Sequence, residues 1–304
     1  MSAPKTQTND GATNDGAMAT ESTFTRFFAA AEIRRMWPLY LIFAVFTLVA
    51  LFAPLIAPFD PLDQDLFARL KPPGTAAGDN IYLLGTDELG RDLLSRIIYG
   101  ARVSMMVALL SVTVSMVAGT AIGLVAGYFR GVVEIILMRL VDIFLSIPAI
   151  LLAIITVAVL GPGLQNLVIV LGFTRWPRYA RVAYGQTLGV ANTPYVAASR
   201  FIGLANWRIL ARHILPNIIA PLIVVATLEF GLMIIWESGL SFLGLGVQPP
   251  TPSWGSILST GRNYMASAWW ISTLTGACLF MLVLSVNMIG DFLRDRFDPH
   301  SVKR

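Results

Sequence analysis

The sequence predicts an all-α integral membrane protein with six transmembrane helices, on three observations. Hydrophobic residues fill 56% of the 304 positions and charged residues only 13%, about half the charged share of a soluble domain. Five apolar stretches are each long enough to cross a bilayer core as a helix, which takes roughly 20 residues. The basic residues collect on one side of the membrane only if a sixth, shorter stretch crosses as well.

Residues 1–23 are rich in Ser, Thr, Asn, Asp and Gly and read as a disordered cytoplasmic tail. They lack the early apolar run of a secretory signal, because the first such run starts at Trp37 and is already of spanning length. Residues 24–36 mix Phe27 and Phe28 with Arg26, Arg34 and Arg35. Such a segment suits either a helix in the membrane interface or the flank of the first span. The spans are expected at 37–58, 105–128, 141–160, 164–174, 218–236 and 269–289. Segment 59–104 lies outside, 105–291 forms the core, and 292–304 is a cytoplasmic tail. The fourth span is marginal, because it meets Arg175 early and reaches adequate length only by running on through Trp176 and Tyr179. Charge arbitrates: with six spans and both termini inside, sixteen of the 22 basic residues are cytoplasmic and six external, whereas without the fourth span seven are inside and fifteen outside.

Composition also excludes chemistry. A single cysteine, Cys278, and two histidines, His213 and His300, cannot furnish the usual disulfide or metal frameworks. Lys5, Lys71 and Lys303 are the only lysines and none closes a phosphate-binding glycine loop. No metal, no bound cofactor, no catalytic residue and no nucleic-acid partner are therefore expected, and any ATP must be hydrolysed by another chain. Both histidines fall in cytoplasmic segments, which removes an intramembrane Ser and His hydrolase.

The cytoplasmic loop, 185–217, is the informative one. Thr193 and Pro194 are the cap and first residue of a short helix that Gly203 stops in the left-handed region. A second helix begins at Asn206 and is expected to end by Pro216, with Asn217 capping the fifth span. Ala197, Ala198 and Ser199 give the first helix a small-residue face flanked by Tyr195, Phe201 and Ile202, which suits insertion into a groove on a partner.

The spacing resembles the coupling motif E-A-A-x-x-x-G-x(9)-I-x-L-P of ABC-importer permeases, with Ala197, Ala198 and Ser199 at its first three positions, then Gly203, Leu215 and Pro216. It departs where Ala197 replaces the acid and His213 the isoleucine. The string Arg212-His213-Ile214-Leu215-Pro216-Asn217 is similar to the dipeptide and oligopeptide branch. An external signature agrees: Gly85-Thr86-Asp87, Gly90-Arg91-Asp92 and Ser95-Arg96, together with Ser241-Phe242-Leu243-Gly244-Leu245-Gly246 further on. The chain is identified on these motifs as resembling the C-type permease subunit of that branch.

The resemblance implies a type I ABC importer permease fold in the bacterial inner membrane. It implies a second homologous permease, two ATPase subunits that bind the ATP and Mg, an extracytoplasmic peptide-binding protein, and membrane lipid around the whole. Tyr195, Ala197, Ala198, Ser199, Arg200, Gly203, Leu215 and Pro216 would couple to an ATPase, Arg200 by pairing with an acid there. Glu88 and Asp92 are spaced from Arg91 and Arg96 as helical i, i+3 and i, i+4 pairs, favouring a structural ion-pair network over a docking contact. Glu229, midway along the fifth span, is the intramembrane polar candidate. It either lines the pathway or holds helices together, and in a rival secondary carrier it would be the proton-coupling group. Asp142 is expected to pair with Arg139, and Pro148 to kink the third span. Gly119, Gly123 and Gly127 form a small-residue stripe for a helix of this chain or of the second permease.

Overall fold

The computed structural model describes residues 36–77 and 80–297. The expected tail at 1–23 and nearly all of the interfacial segment at 24–36 lie outside them. Helix α1, Met36–Leu51, opens the described chain. It breaks at Phe52, because Pro54 in the first turn of α2 (Ala53–Ile56) has no N–H to continue the ladder. The first span is thus shorter than 37–58 suggested. From there to Asp92 the chain forms a folded cap with a small antiparallel hairpin, β1 (Thr75–Ala77) and β2 (Asn80–Tyr82).

Helix α3, Leu93–Phe129, starts twelve residues before the expected second span and runs 37 residues, about 55 Å at 1.5 Å per residue. Asp92 caps it: its Oδ2 accepts from the Ser95 N–H and the Ser95 hydroxyl, both at 2.7 Å. Arg130 and Gly131 then take positive φ, 54° and 62°, turning the chain directly into α4 (Gly131–Ser146).

The expected third span is two helices. α4 ends at Ser146, α5 runs Ala149–Leu160, and they meet at 89°. Pro148 forces Ile147 into an extended conformation, φ −92° and ψ 128°, which terminates α4 rather than bending it. The fourth span is the N-terminal part of a 28-residue helix, α6, Leu164–Ala191, which keeps Pro177 inside. Its long packing seam with α3 is made by the glycines. A Cβ on Gly119 would overlap the Trp176 carbonyl oxygen, one on Gly123 that of Ala180, and one on Gly127 would sit 2.8 Å from Thr187 Cβ. The stripe therefore serves packing within this chain.

α7, Pro194–Phe201, is short, and α8, Asn206–Ile209, passes through a π-helical turn, Leu210–Ile214, into α9, Leu215–Phe242. No end occurs before Pro216, contrary to expectation. The wider π register provides a place for a proline that cannot donate to the preceding turn, and Asn217 donates its side-chain amide to the His213 carbonyl instead of capping. Asn206 to Phe242 is consequently one 37-residue rod. α10, Trp254–Arg262, is opened by a Ser253–Ser256 capping box, and α11 spans Trp269–Phe297, beyond the expected end of the sixth span at 289. α3, α6, α9 and α11 pack side by side, with α10 against α9, α11 and the start of α3. Fully buried Leu167, Leu171, Tyr179, Ile218, Leu222, Met233 and Trp254 fill the seams.

Candidate coupling turn and charged face

α7 is a rigid turn with an apolar outer face. Val196 is fully buried and anchors it, while Tyr195 is 44%, Phe201 92% and Ile202 80% exposed. Its end is locked: the Gly203 N–H donates to the Arg200 carbonyl at 3.0 Å and the Leu204 N–H to that of Ser199 at 3.2 Å, the paired bonds of a Schellman stop. Gly203 takes φ +81° with open space around it, so conformation rather than crowding requires glycine there. Thr193 occupies the cap position, yet its hydroxyl donates backwards to the Val190 carbonyl at 2.7 Å. Ser199 likewise donates to Tyr195 O at 2.8 Å and is buried, leaving Ala198 on the open side and Ala197 partly covered. Arg200 stacks 4.4 Å over the Tyr128 ring, and the Tyr128 hydroxyl donates to Asn206 Oδ1 at 2.9 Å. That chain of contacts ties α7, α8 and the end of α3 together. Leu215 and the exposed Pro216 begin α9 above it.

At the other end of α3 the external signature packs inward. Asp87, 2% exposed, is the hub: Oδ1 accepts from the Leu89 and Arg91 N–H groups at 2.9 and 3.0 Å, and Oδ2 faces Arg91 Nε at 2.7 Å and Arg96 Nε at 3.2 Å. Arg91 also reaches Glu88 at 3.0 Å. Burial holds the Glu88 carboxyl above the usual carboxylate range and the neighbouring Asp87 charge adds to this, against Arg91 and Arg96. Thr86 accepts from the Lys71 N–H at 2.9 Å and donates to the Ala68 carbonyl. Gly85 and Gly90 take positive φ, and a Cβ on Gly90 would overlap the Asp65 carbonyl. Of the two expected pairs, Glu88–Arg91 forms and Asp92–Arg96 does not. The helix begins only at Leu93, so Asp87 replaces Asp92 as the partner of Arg96, and Asp92 is spent on the cap, with Ser95 Oγ then accepting from the Phe59 N–H at 3.0 Å.

Glu229, 1% exposed, has two partners from α6. Arg175 gives it Nε at 2.8 Å and Nη2 at 3.2 Å, and Arg178 gives Nη1 at 2.9 Å. Arg175 lies 4.6 Å over the Trp236 ring. With both oxygens engaged by guanidinium groups, Glu229 is a helix-to-helix clamp, not an open proton carrier. One turn along α6, Arg181 pairs with Asp142 of α4, in place of the expected Arg139. Beyond it a cavity of about 350 Å³ is lined by Glu134, Arg139, Asp142, Arg181 and Tyr184, whose hydroxyl donates to Glu134.

A further carboxylate, Glu237, is fully buried where α3, α9 and α10 meet. It accepts from Ser104 at 2.7 Å and Ser241 at 2.8 Å, and no basic group pairs with it among the described residues. Glu237→Ala strands these hydroxyls and leaves a cavity, so it should cost about 2–5 kcal/mol. Glu237→Gln keeps an acceptor and should cost less than half of that, as a comparison of melting temperatures of the two purified variants would check.

Residues 119–303, more than half of the chain, match the binding-protein-dependent transport system inner membrane component family. The chain belongs to this family. Residues 40–73 match the N-terminal TM domain of oligopeptide transport permease C. The di/tripeptide transport system permease protein DppC of Pseudomonas aeruginosa is 46% identical over 262 residues, 86% of each chain. The dipeptide transport system permease protein DppC of Haemophilus influenzae is 43% identical over 256 residues, 84% of this chain and 87% of that one. Among solved structures, an inward-facing conformation of the MetNI methionine ABC transporter aligns at TM-score 0.55 and 21% identity, covering 68% of this chain and 98% of its own. That likeness bears out the type I permease fold.

In this permease, Arg175, Arg178 and Glu237 are the site residues that sequence reasoning missed. The two arginines carried a signal: they interrupt the weakest span and lie opposite a lone acid in the next one. Glu237 carried a fainter one, Ser241 at i+4 on the same helix face, hidden because the segment from 237 onward was expected to lie outside the membrane.

Proposed function

We propose that the chain is the transmembrane permease subunit of an ATP-driven importer, forming with a second permease the pathway for dipeptides or oligopeptides. The observation that carries the substrate class is the identity of at least 43% to two peptide permeases over 84% or more of the chain. α7 enters a cleft of a cytoplasmic ATPase subunit, with Tyr195, Phe201 and Ile202 as its apolar anchors and the small Ala197 and Ala198 allowing close approach. Arg200 acts from its stack on Tyr128. ATP and Mg are bound by two partner ATPases, a peptide-binding protein docks at the Asp87 end outside, and both termini are cytoplasmic in the bacterial inner membrane. A proton-coupled carrier loses its candidate group, since Glu229 is held by two arginines.

Purifying the tagged chain from its native membrane after crosslinking should recover a second permease and P-loop ATPases; recovering it alone would sink this reading. Gly203→Val places a β-branched residue at φ +81°. The variant should insert and assemble normally, retain ATP hydrolysis, and lose about fivefold to a hundredfold of its peptide uptake, roughly the 1–3 kcal/mol expected of a strained residue expressed as a rate. Uptake at the unaltered rate would count against α7 as the coupling element.

A further inference from the structure

The face shared by α4 and α6 carries charges at the level of Glu229, midway along the expected fifth span, 218–236, which puts Arg175 and Arg178 inside the membrane rather than in the cytoplasmic segment where the charge count had them. Arg178 lies near the middle of the 28-residue α6, about 20 Å from either end, and Glu229 lies about 20 Å from the Phe242 end of its rod. The Arg178 side chain is 52% exposed, and those of Arg181 and Asp142 are 45% and 47% exposed. Exposed ionised groups so far inside a membrane face water or protein, never acyl chains. One helical turn on from Arg178 comes the Arg181–Asp142 pair, which lines the same cavity as Glu134 and Arg139.

We propose that this face is a water-filled wall of the transport pathway and that Arg178 receives the carboxylate of the passing peptide. The assignment rests on the peptide-permease reading and adds to it a subsite and a direction. Arg175 by itself satisfies the charge of Glu229 with two hydrogen bonds, so the single contact of Arg178 through Nη1 is surplus to neutrality. The remaining N–H groups of Arg178 are unengaged within the described structure and form the flat fork that holds a carboxylate at two points. The stretch as a whole sets Arg139, Arg175, Arg178 and Arg181 against Glu134, Asp142 and Glu229, one positive charge in excess. Its signs alternate along the path. A zwitterionic dipeptide leaving Arg178 therefore meets the exposed Asp142 and the half-buried Glu134 for its ammonium group and the exposed Arg139 for its carboxylate.

Cys278 is the only cysteine of the chain, so a reporter thiol is simple to place in the intact transporter with all its subunits. In a Cys278→Ser background, Arg178→Cys should react in inside-out vesicles with membrane-impermeant sulfonatoethyl methanethiosulfonate, and excess alanyl-alanine should slow the reaction. Uptake of labelled alanyl-alanine should fall by at least about tenfold, the least expected when a charged hydrogen-bond donor is removed. Aminoethyl methanethiosulfonate, which restores a cation, should recover part of it, and the sulfonatoethyl reagent none. Arg178→Lys should assemble normally and import at an intermediate rate. A thiol inert to both reagents at rest and during ATP turnover would mean that the face is sealed against another chain and would overturn the proposal. A reactive thiol in a transporter whose unaltered form imports no alanyl-alanine would overturn the carboxylate role through failure of the peptide reading, a result distinct from an inert thiol.

Discussion

Gly123→Ala is expected to remove most of the correctly assembled protein, although it adds one methyl group. The new Cβ would overlap the Ala180 carbonyl oxygen and lie 2.7 Å from Ala183 Cβ. Neither neighbour is the end of a flexible side chain; one is the α6 backbone itself. Relief requires α3 and α6 to part along the longest helix seam of the bundle, and overpacking of this kind costs about 3 kcal/mol or more, the upper part of its usual range. Gly119→Ala meets the Trp176 carbonyl in the same way. Gly276→Ala is the matched control, since its Cβ would find only a Leu258 methyl at 3.8 Å. Size-exclusion profiles and melting curves in detergent should show an aggregated or weakly expressed Gly123→Ala beside an unchanged Gly276→Ala. A monodisperse Gly123→Ala with the parental melting temperature would disprove the close approach of α3 and α6.

The second large effect is expected at Glu229. Glu229→Leu leaves Arg175, 15% exposed, as an uncompensated charge between helices, and breaking a buried pair from one side costs about 3–5 kcal/mol. Removing both charges, as Glu229→Leu with Arg175→Met, should return most of that loss, because the desolvation penalty disappears with the pair. A double-mutant cycle on melting free energies should therefore give a coupling of about 2 kcal/mol or more. Strict additivity would show that the clamp contributes nothing. In the same membranes, a protonophore should leave peptide uptake by the parental transporter intact while ATP is maintained.

Much of this was legible before any coordinate. Runs of about 20 apolar residues locate helices because the bilayer imposes the length, and the Thr193-Pro194 to Gly203 punctuation delimits α7 because backbone geometry imposes the residues. What escaped depended on distance or competition. Glu229 and Arg175 are 54 residues apart, and no local rule joins them. Asp92 had two possible uses, an ion pair with Arg96 or a helix cap, and the cap prevailed because the amide of Ser95 needs an acceptor in place. Pro148 was readable as a kink, but whether a proline bends a helix or ends it depends on what the following segment packs against. The end assigned to the second coupling helix failed for the opposite reason: Pro216 was read as a stop, and the π turn at Leu210–Ile214 absorbs it.

That continuity has a mechanical consequence. A single rod of 37 residues runs from Asn206, beside α7, to Phe242, next to the Glu237 and Ser104 contact. At about 55 Å long, a rod tilted by about 5° about one end moves the other by about 5 Å, close to one helical turn. Pivoted instead at the Glu229 clamp, about 20 Å from Phe242, the same tilt would move that end by about 2 Å. Its two irregular points, the π turn at Leu210–Ile214 and Pro221, both lie toward the α7 end, so the stretch from Leu222 to Phe242 moves as one stiff piece.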